Sequence, residues 1–182
     1  MEASRHLQAA DRVVLEWTRW TRSGVGEMDT ANVEANDKTE SSEAAETELW
    51  RNVHWVRQGE RDDWFIYEGK DDPHNRDELA NEIKTVLHVK GNVLTWIRRG
   101  AAEWRHQFEA GKQFTSILQT GPLTLDVMTD THSLDVSMAS DQGLIKMDYS
   151  LNLSGELQRV QTQIRFFKEG LYEHQESLGG RG

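Results

Sequence analysis

Alternation of apolar and polar residues is the dominant pattern in this chain, and it is clearest from Leu144 to Phe166. There Ile145, Met147, Tyr149, Leu151 and Leu153 share one face, with Lys146, Asp148, Ser150 and Asn152 on the other. After Ser154-Gly155-Glu156 the apolar set becomes Val160, Thr162, Ile164 and Phe166. A strict period of two marks a half-buried strand. The switch from odd to even positions needs a hairpin loop with an even number of residues. Gly155-Glu156 as a type II′ turn sets Leu151 opposite Val160 and Met147 opposite Ile164; Ser154-Gly155 as a type I′ turn keeps the same faces in a shifted register.

The same parity argument extends back to Ile83. Ile83, Thr85, Leu87 and Val89 share a face, and a three-residue hairpin at Lys90-Gly91-Asn92 places Val93, Thr95 and Ile97 beside them. Gly100-Ala101 then pairs Ile97 with Trp104, Thr95 with His106 and Val93 with Phe108. Ala110-Gly111-Lys112 brings Phe114, Ser116 and Leu118 back across that row, and Gly121-Pro122 hands Leu118 to Leu125. A turn at Asp130-Thr131 lets Val127 face Leu134, followed by Val136 and Met138, and Ser140 to Gly143 returns the chain to Ile145. Three further strands are predicted at Val13–Arg22, Leu49–Gln58 and Trp64–Glu68.

Eight consistent strands after three earlier ones make a meander too long and too twisted to stay flat. Closure of Val13–Arg22 onto the last strand removes both edges. The expectation is an all-β fold, a single up-and-down antiparallel barrel with the traced face inward; a sandwich of two open sheets is the alternative.

Composition changes the picture at one place. Residues 24–48 are rich in Glu, Asp, Ser, Ala, Asn and Thr and show no sustained period, which reads as an acidic loop insertion. The expected organisation is therefore an N-terminal segment at 1–12, with a helical turn or two, a barrel domain at 13–168 carrying that insertion, and a tail at 169–182. The loop Asp71 to Arg76 holds Pro73 and other turn formers.

The formal net charge of −10 argues against a nucleic-acid partner, whose phosphates need a basic surface. The chain has no cysteine, which removes disulfides, thiol catalysis and cysteine-ligated metal and fits a reducing compartment. No apolar run is long enough to span a bilayer and residues 1–12 lack a signal-peptide core, so no membrane partner is expected and a cytoplasmic location is.

The segment Trp64 to Phe166 resembles the YwiB-like bacterial proteins, a family of lipocalin-type barrels defined as a domain of unknown function. The resemblance rests on Ile66-Tyr67-Glu68, on Arg98-x-Gly100, on Phe108 followed by Gly111, and on Thr129-Asp130-Thr131 ahead of Gly143 to Leu153. The chain departs from that family by its 24–48 insertion, by Gly69 and by Thr120-Gly121-Pro122. The resemblance implies a calycin-like barrel and carries over no catalytic residue.

On the predicted inward face the polar or amphipathic side chains are Thr85, Thr95, Trp104, His106, Ser116, Tyr149 and Thr162, the candidate lumen site for a small, partly apolar ligand. His106 opposite Ser116 invites a nucleophile reading. No orienting acid or oxyanion motif accompanies them, so they are read as a hydrogen-bonded buried pair, not an enzyme's dyad. His54, His74, His88, His132 and His174 have no metal-ligand spacing, so no metal or other cofactor is expected. Val86, Leu94, Trp96 and Ile117 fall on the outward face and form a candidate homodimer patch. With the acidic insertion they support the alternative function, a protein-interaction module.

Overall fold

In a computed structural model of the protein, the structure describes residues 10–23, 44–70 and 82–171. Of the segment at 1–12, where a helical turn or two is expected, residues 1–9 lie outside the described residues and Asp11 and Arg12 are strand instead. The acidic residues 24–43, the Asp71–Arg76 loop and the tail beyond Leu171 also lie outside the described residues. Ten strands follow one another: β1 (Asp11–Ser23), β2 (Ala44–Arg57), β3 (Asp62–Lys70), β4 (Glu82–Lys90), β5 (Val93–Arg99), β6 (Ala102–Glu109), β7 (Lys112–Thr120), β8 (Leu123–Met138), β9 (Gln142–Leu153) and β10 (Glu156–Lys168). Each pairs antiparallel with its sequence neighbours, and β1 pairs with β10 to close the barrel. Closure therefore occurs at the expected seam, with Leu15 beside Phe166 and Trp17 beside Ile164.

The inward rows carry the core. Val13, Leu15, Val53, Phe65, Leu87, Val89, Leu94, Phe108, Ile145, Ile164 and Phe166 are fully buried. A ten-stranded barrel is wider than the eight-stranded size that ordinary side chains fill, and aromatic rings make up the difference. Trp55 and Phe65 stack at 5.9 Å, and both rings pack against Phe166, at 4.9 and 4.7 Å. At this end the interior is sealed by a buried carboxylate. Asp63, 1 % exposed, accepts from Trp55 Nε1 (2.9 Å) and from Arg57 Nε (2.8 Å), and Arg57 also donates to the Ala139 carbonyl at 3.1 Å.

Several local expectations are corrected. Residues 44–48 belong to β2 and pair with β1, with Thr47 opposite Thr18 and Glu48 opposite Trp17, so they are not part of the acidic loop expected at 24–48. Asp130-Thr131 is not a turn: β8 runs through it, and a bulge between Thr131 and Ser133 moves the inward set from Val127, Thr129 and Thr131 to Leu134, Val136 and Met138. A bulge inserts one unpaired residue and shifts phase by one, the same odd-to-even signature as a two-residue hairpin. A second bulge separates the pairs Val13–Val53 and Leu15–Trp50, with Asn52 at φ 59° in β2.

The largest correction concerns β5. Lys90 pairs with Val93 across a two-residue loop, and Leu94, Trp96 and Arg98 stand opposite Phe108, His106 and Trp104. The inward face of β5 is therefore Leu94, Trp96 and Arg98. Thr95 is buried on the outer face, where Gln107 Nε2 lies 3.4 Å from its Oγ1, so it is not a lumen residue. Two loop lengths were each misjudged by one, and the errors cancel at β6. The proposed outward patch loses Leu94 and Trp96 in the same step.

At the last hairpin the shifted register holds: Val160 pairs with Tyr149 and Thr162 with Met147. Ser154 and Gly155 have φ of 52° and 99°, the two positive values of a type I′ turn. Gly143 pairs with Phe166, and a Cβ there would meet the Phe166 ring and come within 2.9 Å of the Ser137 carbonyl oxygen. The ring is fully buried against Trp55 and Phe65, and the oxygen is backbone. Gly143→Ala is expected to lower unfolding free energy by about 1–3 kcal/mol, the cost of overpacking, measured by urea denaturation; an unchanged midpoint would show that Phe166 can move.

Candidate functional site

Two groups of polar and aromatic side chains line the interior at different heights. The first spans β6, β7 and β8. Trp104 Nε1 donates to Ser116 Oγ at 2.9 Å, Ser116 Oγ is 2.6 Å from His106 Nδ1, and His106 Nε2 is 2.6 Å from Thr129 Oγ1. With Trp104 donating to Ser116, the serine proton is assigned to Nδ1 and Nε2–H to Thr129, an arrangement in which every donor has an acceptor.

Local sequence explains the convergence. Trp104, His106 and Phe108 alternate along β6, and Ser116 on β7 lies across from His106 at the same offset as the paired Ala102–Thr120 and Glu103–Gln119. The backbone ladder between β6 and β7 holds only at those two pairs. Where it lapses, His106 links both strands' neighbours through its two ring nitrogens. Burial at 2 % exposure lowers its pKa from 6.5 to about 4, so the ring is neutral near pH 7. With both nitrogens engaged it is a polar strut.

The second group lies toward the end where β1 leaves the barrel. Rings run continuously across it: Tyr67 stacks on Trp50 at 4.9 Å, Trp50 meets Trp17 at 5.5 Å, Trp17 meets Trp96 at 4.4 Å, and Trp96 meets Trp104 at 5.0 Å. The contact between Trp17 on β1 and Trp96 on β5 crosses the lumen. Beside it is a cavity of about 110 Å³ lined by Trp17, Trp50, Trp96, Arg19, Arg98, Glu46 and Glu48. Its two carboxylates are occupied: Glu46 pairs with Arg19, and Glu48 accepts from Trp50 Nε1 at 3.0 Å. The Trp96 indole nitrogen is buried with no acceptor in reach.

Of the residues named from the sequence, the structure brings Trp104, His106 and Ser116 into one network. Tyr149 and Thr162 stand on β9 and β10. Burial raises the Tyr149 phenol, opposed by the Thr162 hydroxyl and the Arg19 charge, although Thr162 Oγ1 makes no bond of normal geometry. Thr85 is inward on β4 opposite Arg98. Thr129, the cavity's Arg19, Arg98, Glu46 and Glu48, and the inward direction of Trp96 were missed. One signal was available: Glu46, Glu48 and Trp50 keep a period of two before the β2 bulge.

The His106 pKa makes stability depend on pH. Between pH 6.5 and about 4 the unfolded chain holds a proton on this ring and the folded chain does not, so stability is full above that window and falls as pH drops through it. At about 1.4 kcal/mol per pH unit, the loss attributable to His106 is on the order of 3 kcal/mol. Urea melts at intervals from pH 7.5 to 4.5 should show His106→Gln less stable at pH 7.5 but with a shallower pH slope; parallel slopes would refute the assignment.

Among the described residues no helix is long and apolar enough to cross a membrane. No curated protein matches the chain. The fold is similar to the crystal structure of the ywiB protein from Bacillus subtilis, with a TM-score of 0.66 over 91 % of this chain and 96 % of that one at 14 % sequence identity. The family model for DUF1934, a domain of unknown function, matches residues 32–165. The chain belongs to the DUF1934 family, and its barrel closes through β1, which precedes that span.

Proposed function

We propose that this protein binds a small, partly apolar molecule non-covalently, and that the binding position is the tryptophan-lined cavity rather than the polar row around His106. The observation that carries this reading is the pairing of an apolar wall, Trp17, Trp50 and Trp96, with a buried indole N–H that lacks an acceptor. Concave, mostly apolar sites with a few convergent polar groups are where small ligands bind. A buried donor left unpaired costs about 1–3 kcal/mol, which a bound acceptor recovers.

The reading invokes no covalent step. Ser116 accepts from Trp104 and lies against His106 Nδ1, but His106 Nε2 is bonded to the Thr129 hydroxyl and not to the carboxylate that would orient a general base. The volume also bounds the ligand: about 110 Å³ is well below the roughly 300–1,000 Å³ of sites for drug-sized molecules, so a single ring or a short chain is the fitting size.

A panel of monocyclic and short-chain compounds should contain members that shift tryptophan emission and raise the thermal midpoint. Stabilisation should approach about 2.7 kcal/mol at a hundredfold excess over Kd. Trp17→Ala should abolish the shift, whereas His106→Gln should retain it. A panel in which no compound alters emission or midpoint would overturn the reading.

A further inference from the structure

We infer that the ligand of this cavity is a small anion of the carboxylate class, its apolar body against the tryptophan wall and its carboxylate received by the Trp96 indole N–H and the Arg98 guanidinium. The inference rests on the binding reading above and adds the chemical class.

The lining separates into groups already satisfied and a group still in need. Arg19 and Glu46 neutralise each other across the β1–β2 ladder, where they are direct partners. Glu48 is held by the Trp50 N–H. Glu46 is thereby neutralised and Glu48 has one oxygen engaged, and neither reaches the Trp96 N–H. The Trp96 N–H is a donor only and has no acceptor, so whatever meets it must accept.

Arg98 fixes the sign. It stands two residues from Trp96 on the same inward face of β5 and lines the same cavity. A guanidinium presents five donors in a planar fork, so it can serve a carboxylate while keeping other contacts. Hydrogen bonds to an ionised acceptor are roughly twice as strong as neutral ones. Tryptophan faces Trp17 and Trp50 favour a flat apolar body at this volume.

The test uses the full-length protein and two probes of one shape and opposite charge, benzoate and benzylamine, read by tryptophan emission and isothermal titration. Benzoate is expected to bind at least about tenfold more tightly. Trp96→Phe, which keeps a ring and removes the N–H, and Arg98→Gln should each weaken benzoate by roughly tenfold or more while leaving benzylamine unchanged, with near-ultraviolet circular dichroism confirming the fold. Equal or tighter binding of benzylamine by the unaltered protein would overturn the carboxylate class and leave a binder of another ligand. If neither probe nor any other monocyclic compound registers, the binding reading itself falls.

Discussion

Hydrogen bonding of β1 on both sides is the constraint from which the rest of the structure follows. Its residues Val13 to Ser23 pair with β10 and Asp11 to Thr21 with β2, so neither edge of a ten-stranded meander is left open. Closure forces one face of every strand inward, and the β1 residues that obey it, Val13, Leu15 and Trp17, are 0, 1 and 6 % exposed. A closed sheet also cannot absorb a phase error by fraying. Each shift in the hydrophobic pattern must be met by a loop of the right length or by a bulge, and both bulges, in β2 and β8, sit where the inward set changes parity.

That constraint explains what was legible. Fold class, closure at β1 and β10, and the inward faces of β6, β7, β9 and β10 could be read because their alternation has one apolar side. β5 could not: Val93, Thr95 and Ile97 alternate as well as Leu94 and Trp96 do, and the charge of Arg98 at the end of the second set points that face to solvent. In the structure Arg98 faces Trp104, where the cavity accommodates its head. The β8 bulge was misread because pattern alone does not separate one extra residue from a tight turn. Glu46 and Glu48 disappeared into a segment defined by composition, although they alternate with Trp50.

The candidate site divides along the same line. Trp104, His106 and Ser116 were recoverable because the parity of β6 and β7 is unambiguous, and their bonding was anticipated as structural. Thr129, the second partner of His106, falls just before the turn expected at Asp130-Thr131 and is absent from the predicted inward set. The cavity was invisible because it joins β1, β2 and β5, strands distant in sequence whose relation is set by closure, and because two of its members required bulge or loop lengths that no local rule supplies.

Polar groups inside this barrel occur at three heights with different consequences. At one end Asp63 is paired with Arg57 and bonded by Trp55, and truncating Arg57 would leave the buried carboxylate without its counter-charge. In the middle the neutral His106 spends its whole bonding capacity on Ser116 and Thr129, across the stretch where the β6–β7 ladder lapses. In both sets the hydrogen bonds tie one strand to another, so they add rigidity. Beyond the Trp17–Trp96 contact that spans the lumen, an unfilled volume coincides with the Trp96 N–H, a buried donor without an acceptor among the described residues. Under the binding reading, selectivity at that volume would be set by the few polar groups on its wall, among them Trp96 and Arg98 on one strand.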